Sequence, residues 1–434
     1  MKLVPSSMKR LGLLGLAVCL SCAQPSKPMG ATRTGIDVLA QANFAPLSGK
    51  RVGLITNHTG INREWRSTID ILFEASNVDL VALFNPEHGI RGVYDDMVAS
   101  GLDSTTGLPI HSLYGKTIRP TPEMLIGIDV LVFDIQDIGA RFYTYIGTMK
   151  KCMEEAAKLG IEFIVLDRPN PITGVYVEGP VMARERVSRL VNSHSIPLRH
   201  GMTVGELAEM FRADDTLNID LSVVKMEGWR RDMWFDQTGL PWINPSPNIR
   251  NLYQATLYPG LGLLERTNVS NKRGLERPFE MFGAPWVNGS QLTQELNSRQ
   301  IPGVQFSPIR FTPAMTTYPK YAEQVCEGVA VNITDRDCLP SVELGLHVLQ
   351  ALYKLYPEHF EIEKIWHVTR SKKLIEQLKE GTPINKIVAD YGVDLGISFV
   401  IGRSTYFTTK QDFDIFSSLH CDGDGYGIIE RTWC

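Results

Sequence analysis

The sequence predicts an α/β fold: a Rossmann-like parallel sheet domain followed by a smaller α+β auxiliary domain. Three observations carry that reading. Short aliphatic, β-branched runs alternate with helical patterns, several of those runs stop in polar, turn-rich segments, and the periodicity changes beyond Ala284-Pro285-Trp286. Strands covered on both faces read as unbroken apolar runs, and their alternation with helices implies a parallel sheet with helices on each side.

The first strand, residues 51–57, runs into His58-Thr59-Gly60. The second, residues 78–84, stops at Asn85-Pro86-Glu87-His88-Gly89-Ile90-Arg91-Gly92. Pro86 removes a backbone donor and ends the ladder, while Gly89 and Gly92 permit turns closed to other residues. The third, residues 128–133, leads into Asp134-Ile135-Gln136-Asp137-Ile138-Gly139-Ala140-Arg141, and the fourth, residues 161–166, into Asp167-Arg168-Pro169-Asn170-Pro171. Between the last two, Ile146, Met149, Met153, Ala156 and Ala157 form a helical stripe that ends at Gly160. Thr203 and Glu206 are spaced as a capping box, and residues 221–226 read as a further strand. In the second half, a strand at 328–333 and a long helix at 341–356 belong to the auxiliary domain, expected to close over the sheet's pocket. The expected boundaries are 35–282 for the sheet domain and 283–434 for the auxiliary domain.

The bulk composition narrows the function. A chain of 434 residues can build two cores, and 43% hydrophobic with 21% charged residues is ordinary for a soluble globular protein. A net charge of −4 without a basic tract argues against a nucleic-acid surface. No apolar run reaches membrane-spanning length. Lys9-Arg10, an apolar run over residues 11–20 and Ser21-Cys22-Ala23 read as a signal peptide over residues 1–22. The junction looks like a lipoprotein cleavage site that leaves a lipid anchor on Cys22, with simple secretion as the alternative; residues 23–34 are then a linker. The protein is therefore expected to be exported, either periplasmic or membrane-anchored. Beyond Cys19 and Cys22, five cysteines remain, an odd number without Cys-x-x-Cys spacing. Pairing of Cys326 with Cys338, pairing of Cys421 with Cys434, and buried free thiols all stay open.

Open α/β sheets place ligands at the carboxyl ends of their strands. Glu87 is the first candidate for a general acid or base, with His88 and His58 able to orient or share its proton. Asp134, Asp137 and Asp167 are candidates for a second carboxylate. A metal-dependent hydrolase using His58, Glu87, His88 and Asp134 is an alternative, but no His-x-x-x-His spacing supports a metal site. Gly260-Leu-Gly262 comes too late for a dinucleotide fingerprint, and Asn57-His-Thr-Gly60, which follows the first strand, lacks one, so no nucleotide cofactor is expected. Trp229, Trp234, Phe235 and Trp242 could stack on sugar rings or pack a core under an irregular loop.

The chain resembles the NamZ-type exo-β-N-acetylmuramidases of peptidoglycan recycling. The resemblance rests on Gly53-Leu-Ile-Thr-Asn-His-Thr-Gly60, Pro86-Glu-His-Gly-Ile-Arg-Gly92, Phe133-Asp-Ile-Gln-Asp-Ile-Gly-Ala-Arg-Phe-Tyr-Thr-Tyr145, Leu166-Asp-Arg-Pro-Asn-Pro171, Pro245-Ser-Pro-Asn248 and Arg277-Pro-Phe-Glu280. It implies a cleft between a Rossmann-like and an auxiliary domain, and a catalytic glutamate at Glu87 beside His88 and Asp134. Peptidoglycan-derived saccharides ending in N-acetylmuramic acid (MurNAc) become the expected substrate, with no cofactor or metal; the other alternative is a non-catalytic cell-wall sugar-binding lipoprotein that keeps the pocket without turnover. Asn57, His58, Gln136, Arg141, Tyr145, Asp167, Arg168, Asn248, Glu265, Asn268 and Arg277 are the expected substrate-binding positions. Arg141, Arg168 and Arg277 suit the lactyl carboxylate that MurNAc carries. The chain departs from the family's pattern between Glu265 and Leu275: Arg266 stands where the family has a glycine, and a glutamate is missing near Asn271 and a threonine near Leu275. That departure bears on the leaving-group preference.

Overall fold

The computed structural model describes residues 31–87, 89–90, 100–188, 190–271, 276–315 and 320–392. Among these, the sheet strands are β1 (Arg51–Thr56), β2 (Asp79–Asn85), β3 (Gly101–Leu102), β4 (Pro109–Ser112), β5 (Val130–Asp134), β6 (Glu162–Leu166) and β7 (Leu221–Val224). They form one seven-stranded sheet in the order β3-β4-β2-β1-β5-β6-β7. All neighbours from β4 to β7 run parallel, and β3 adds an antiparallel edge. The sequence reading did not anticipate β3 and β4, because strands of two and four residues are too short for a periodic signal.

The sheet's helices are α1 (Gly35–Gln41), α2 (Thr68–Glu74), α3 (Thr144–Leu159) and α4 (Val204–Asp214). Alternating side chains on the central strands feed two separate cores. On β5, Val130 and Val132 pack with Ile36 and Leu39 of α1 and Ile69 and Leu72 of α2. Leu131 and Phe133 point the other way, into a core with Ile146, Met149 and Met153 of α3 and Leu207 and Phe211 of α4. A slip of one residue would exchange the two sets, so register is fixed on both faces. Of the expected α3 stripe, Ile146, Met149, Met153 and Ala156 are buried and Ala157 is partly exposed, and Gly160 closes the helix at φ 66°. The Thr203–Glu206 capping box also forms.

The chain goes from central β1 to β2 on one side and reaches β5 on the other. That reversal is the topological switch point, where doubly wound sheets open a crevice at the strands' carboxyl ends. The later half contributes α5 (Leu252–Leu261), β8 (Met281–Ala284), α6 (Gly289–Ser298), β9 (Val304–Phe311), β10 (Cys326–Ile333), α7 (Ser341–Leu355), α8 (Trp366–Thr369) and α9 (Lys372–Lys379). Its three strands form a small antiparallel sheet in the order β8-β10-β9. Phe282, Val329, Leu344 and Leu349 continue the same core that backs α3 and α4. The small sheet is thus fastened to the large one by shared apolar packing. Where α5 crosses α7, Gly260 and Gly345 meet, and a Cβ on either would collide with the other helix's backbone.

Cys152 and Cys326 are buried free thiols, so the Cys326–Cys338 pairing does not form; Cys338 takes part in a disulfide bond. Cys19, Cys22, Cys421 and Cys434 lie outside the described residues, as do the signal peptide and the proposed lipid anchor.

Candidate active site

Glu87 follows Pro86 directly after β2 and is half-buried. Its Oε2 accepts a 2.7 Å hydrogen bond from the Thr144 hydroxyl. Thr144 is the first residue of α3, a helix with no side-chain cap on Tyr143 and no acid in its first turn. A helix start without its own acid favours a negative charge from elsewhere, and the Glu87 carboxylate supplies one. His88, the adjoining candidate, lies outside the described residues, as do Arg91 and Gly92.

Two tyrosines flank this carboxylate. The Tyr143 and Tyr145 rings meet edge to face at 4.9 Å, and Tyr143 meets Tyr258 likewise at 5.9 Å. Burial pushes the Tyr143 phenol well up, and the Glu87 charge adds to the effect, while Ser246 opposes it. Burial also raises Tyr145, with Tyr143 and Glu87 next to it and the Asn57 amide opposing. Both phenols therefore stay neutral and can act as donors; Tyr145 donates to the Pro245 carbonyl. The His58 ring places Nε2 2.7 Å from the Asn244 carbonyl, so that nitrogen carries the proton. Asn57 Oδ1 accepts from the backbone and hydroxyl of Thr59, at 2.9 and 2.6 Å. In the same loop the Asn248 amide N–H donates to the Ser246 hydroxyl at 3.3 Å. The mouths of β1 and β2, the start of α3 and loop 244–248 thus converge, bringing Asn57, His58, Glu87, Tyr145 and Asn248 together.

The other strand-end candidates are engaged by hydrogen bonds within the protein. Asp134 is fully buried and receives two bonds from Arg168, at 2.5 and 2.9 Å, plus one from the Thr68 hydroxyl. Arg168 also donates to the Ile61 carbonyl at 2.9 Å. Asp167 accepts from the backbone N–H of Gly205 at 2.8 Å and of Arg168 at 3.0 Å, and from the Thr203 hydroxyl at 3.0 Å. It fastens β6 to the start of α4, and burial pushes its carboxyl up to about 7. Gln136 donates its side-chain amide to the carbonyls of Asp137 and Pro169, at 2.8 and 2.7 Å. Asp137 accepts from Gly139 N–H at 2.7 Å and from His200 Nε2 at 3.2 Å. His200 Nδ1 accepts from the Met202 N–H, which fixes that tautomer.

Arg141 requires a correction. The sequence offered it to a substrate carboxylate, but it is fully buried, and its N–H groups reach Asn192 Oδ1 and the carbonyls of Pro180, Ile196, Val368 and Thr369. Those five acceptors use its five donors, and none remains for a ligand. Arg168 is likewise committed to Asp134. Asn268 bridges His359 and Glu361, and Arg277 pairs with Glu280 at 2.8 Å, so both stabilise the later half. Glu265 lines a cavity with Phe142, Val191, Arg266, His367, Val368 and Arg370.

Of the aromatic residues, Trp234 is core, its indole N–H donating to Asp337 at 2.6 Å. Trp242 is half-exposed, meets Phe235 edge-on at 5.1 Å and lines a small cleft of about 20 Å³ with Gln136 and Arg168. Tyr143, Thr144 and Ser246 were missed by the sequence reading. The signal was Arg141-Phe-Tyr-Thr-Tyr145 immediately before the helix, whose first residue faces the sheet's carboxyl edge. Among the described residues, no group of three or more His, Cys, Asp or Glu could hold a metal, and no helix is long and apolar enough to cross a membrane.

Sequence profiles described as exo-β-N-acetylmuramidase NamZ, N-terminal and C-terminal, match residues 52–253 and 256–398. The chain belongs to the NamZ family. It is 44% identical over 390 residues, 88% of this chain and 93% of the relative, to the peptidoglycan β-N-acetylmuramidase NamZ of Bacillus subtilis (strain 168). Two crystal structures of DUF1343 family proteins from Bacteroides fragilis NCTC 9343 share its fold. One has a TM-score of 0.80 at 43% identity, covering 88% of this chain and 99% of its own. The other has a TM-score of 0.71 at 30% identity, covering 87% and 99%.

Proposed function

We propose that this NamZ family member is an exo-acting glycoside hydrolase that releases MurNAc from the non-reducing ends of peptidoglycan fragments, with Glu87 as general acid and base. The observation that carries the reading is the contrast among strand-end acids. Among the described residues, Asp134 and Asp167 are buried and accept three side-chain hydrogen bonds each, whereas Glu87 is half-buried and accepts one. A proton-transfer group needs that spare capacity.

Cleavage requires a proton on the leaving oxygen and stabilisation of an oxocarbenium-like transition state. Glu87 delivers the proton and then withdraws one from water. The neutral phenols of Tyr143 and Tyr145 line the same space and keep it dry. With Asp134 and Asp167 engaged by the fold, the sugar's own 2-acetamido carbonyl is the nucleophile this arrangement favours, giving retention of configuration. Shared packing between the two sheets supports a fixed pocket that admits a chain end, hence exo action.

The purified protein, incubated with a chromogenic MurNAc glycoside with and without chelator, should release the chromophore equally in both. Digestion of peptidoglycan fragments should yield single MurNAc units. No release would refute the hydrolase reading, and long oligosaccharide products would refute exo action. We further propose export with a lipid anchor at Cys22, which rests on the sequence of residues 1–34. Cys22→Ser should move the protein from membranes to the soluble fraction.

A further inference from the structure

Buried guanidinium groups ordinarily have an acid beside them, because a desolvated charge left unpaired is costly. Arg141 breaks that pattern. It is fully buried, its acceptors are one amide oxygen and four carbonyls, and its pKa is lowered to about 9 by burial and by the Arg370 charge. Arg370 itself stacks over Trp366 at 4.3 Å and buries an Nε–H that finds no acceptor. Among the described residues, no carboxylate pairs with Arg141, Arg266 or Arg370 at ion-pair distance.

Those positive charges lie on or behind one cavity of about 250 Å³, lined by Phe142, Val191, Glu265, Arg266, His367, Val368 and Arg370. Two guanidiniums and an imidazole face one carboxylate there, and Arg141 adds its charge from beneath Val368. The apolar walls of Phe142, Val191 and Val368 suit a substituent with a carbon skeleton better than a bare inorganic ion. Position links this cavity to the chemistry. Phe142 is two residues before Thr144, the partner of Glu87, a separation of at most about 7 Å between Cα atoms.

We infer that this cavity is a carboxylate subsite for the substrate, with Arg370 as its specificity-determining residue and Arg266 as the second cation on its rim. The inference rests on the hydrolase reading for its substrate class. Arg370 presents a planar fork that matches a carboxylate, held by its stacking on Trp366. The carboxylate is either the lactyl group of MurNAc or the terminal carboxylate of a peptide attached to it.

The test measures binding without turnover, in Glu87→Gln, by titration calorimetry with three probes. N-acetylglucosamine has no carboxylate, MurNAc has the lactyl one, and N-acetylmuramoyl-L-alanine carries it one residue further out. MurNAc should bind more tightly than N-acetylglucosamine, and Arg370→Gln added to Glu87→Gln should weaken MurNAc by on the order of 10- to 100-fold, the worth of a charge-assisted bond. N-acetylglucosamine serves as the reference that a merely structural effect would also weaken. If the lactyl group is the ligand, N-acetylmuramoyl-L-alanine binds worse than MurNAc; if the peptide carboxylate is, it binds better and depends on Arg370. Equal loss for all probes, or no loss, overturns the inference. Should Arg370→Gln fail to melt cooperatively, Arg266→Gln gives the same readout from the cavity's exposed rim. Selective binding by a wild-type protein that cleaves no glycoside would defeat the hydrolase reading and leave the subsite standing. Cleavage insensitive to both arginines would do the reverse.

Discussion

Glu87 and Asp134 close the two strands that flank β1, and in the sequence both appear as an acid following an aliphatic run. Their surroundings differ in every respect that matters for chemistry. Asp134 has no exposure and is clamped by Arg168 and Thr68. Glu87 lies one residue past Pro86, keeps partial exposure and, among the described residues, is held by Thr144. A carboxylate saturated by a guanidinium and a hydroxyl is a strut, since moving its proton would strand a buried cation. One held by a single hydroxyl at a helix start can exchange a proton and keep its place. The difference teaches that strand ends alike in sequence can differ in spare hydrogen-bonding capacity, and the role proposed for Glu87 rests on that capacity.

The sharpest way to break this comparison is at Glu87. Glu87→Gln keeps the Thr144 bond through its amide oxygen, so the melting temperature should stay within a few degrees. Turnover of a MurNAc glycoside should fall by on the order of 10²–10⁴, the usual contribution of a general acid or base. Near-normal kcat would remove Glu87 from the mechanism.

Arg168→Ala should show the opposite signature. Removing one partner of a buried pair costs about 3–5 kcal/mol, so denaturant or thermal unfolding should shift strongly downward. Whatever remains folded should retain MurNAc selectivity, because Arg168 serves Asp134 and Ile61. A stable variant with lost selectivity would return Arg168 to the substrate.

The fold was legible where the pattern was long. The apolar runs of β1, β2, β5 and β6 and the stripe of α3 each span enough residues for their period to show. Legibility failed where a residue's partner is distant in sequence. Arg141 reads as a ligand-binding arginine because its acceptors at 180, 192, 196, 368 and 369 are invisible locally. Asp167 reads as catalytic because Thr203 and Gly205 lie more than thirty positions on. Glu87 stands out in the sequence because its signal, a proline and glycine break after a strand, is local.

Asp167 sharpens the comparison through pH. Burial pushes its folded pKa to about 7, above the ordinary 3.8, so the folded state holds a proton that the unfolded chain releases. Stability from this group is full below about pH 4 and declines as pH rises toward 7. Asp167→Asn mimics the protonated form and should remove that decline. Its advantage over the wild type should grow across this window by roughly 2–4 kcal/mol. Parallel stability–pH curves for the two proteins would show that Asp167 stays ionised on its three donors.

Tyr143→Phe probes the open mouth with the smallest expected effect. The hydroxyl is buried near Ser246, Tyr145 and Glu87, yet it makes no well-aligned hydrogen bond. Deleting a buried polar group that has no firm partner is close to neutral for stability, because its desolvation penalty goes with it. The melting temperature should therefore hold or rise slightly, while the ring keeps its edge-on contacts with Tyr145 and Tyr258. If the phenol only shapes and dries the space beside Glu87, kcat/KM for a MurNAc glycoside should fall by less than about tenfold, under 1.4 kcal/mol in transition-state stabilisation. A loss beyond a hundredfold with an unchanged melting temperature would mean that the hydroxyl contacts the reacting sugar. The open mouth would then hold two working groups, Glu87 and a neutral donor, where the saturated mouth at Asp134 holds none.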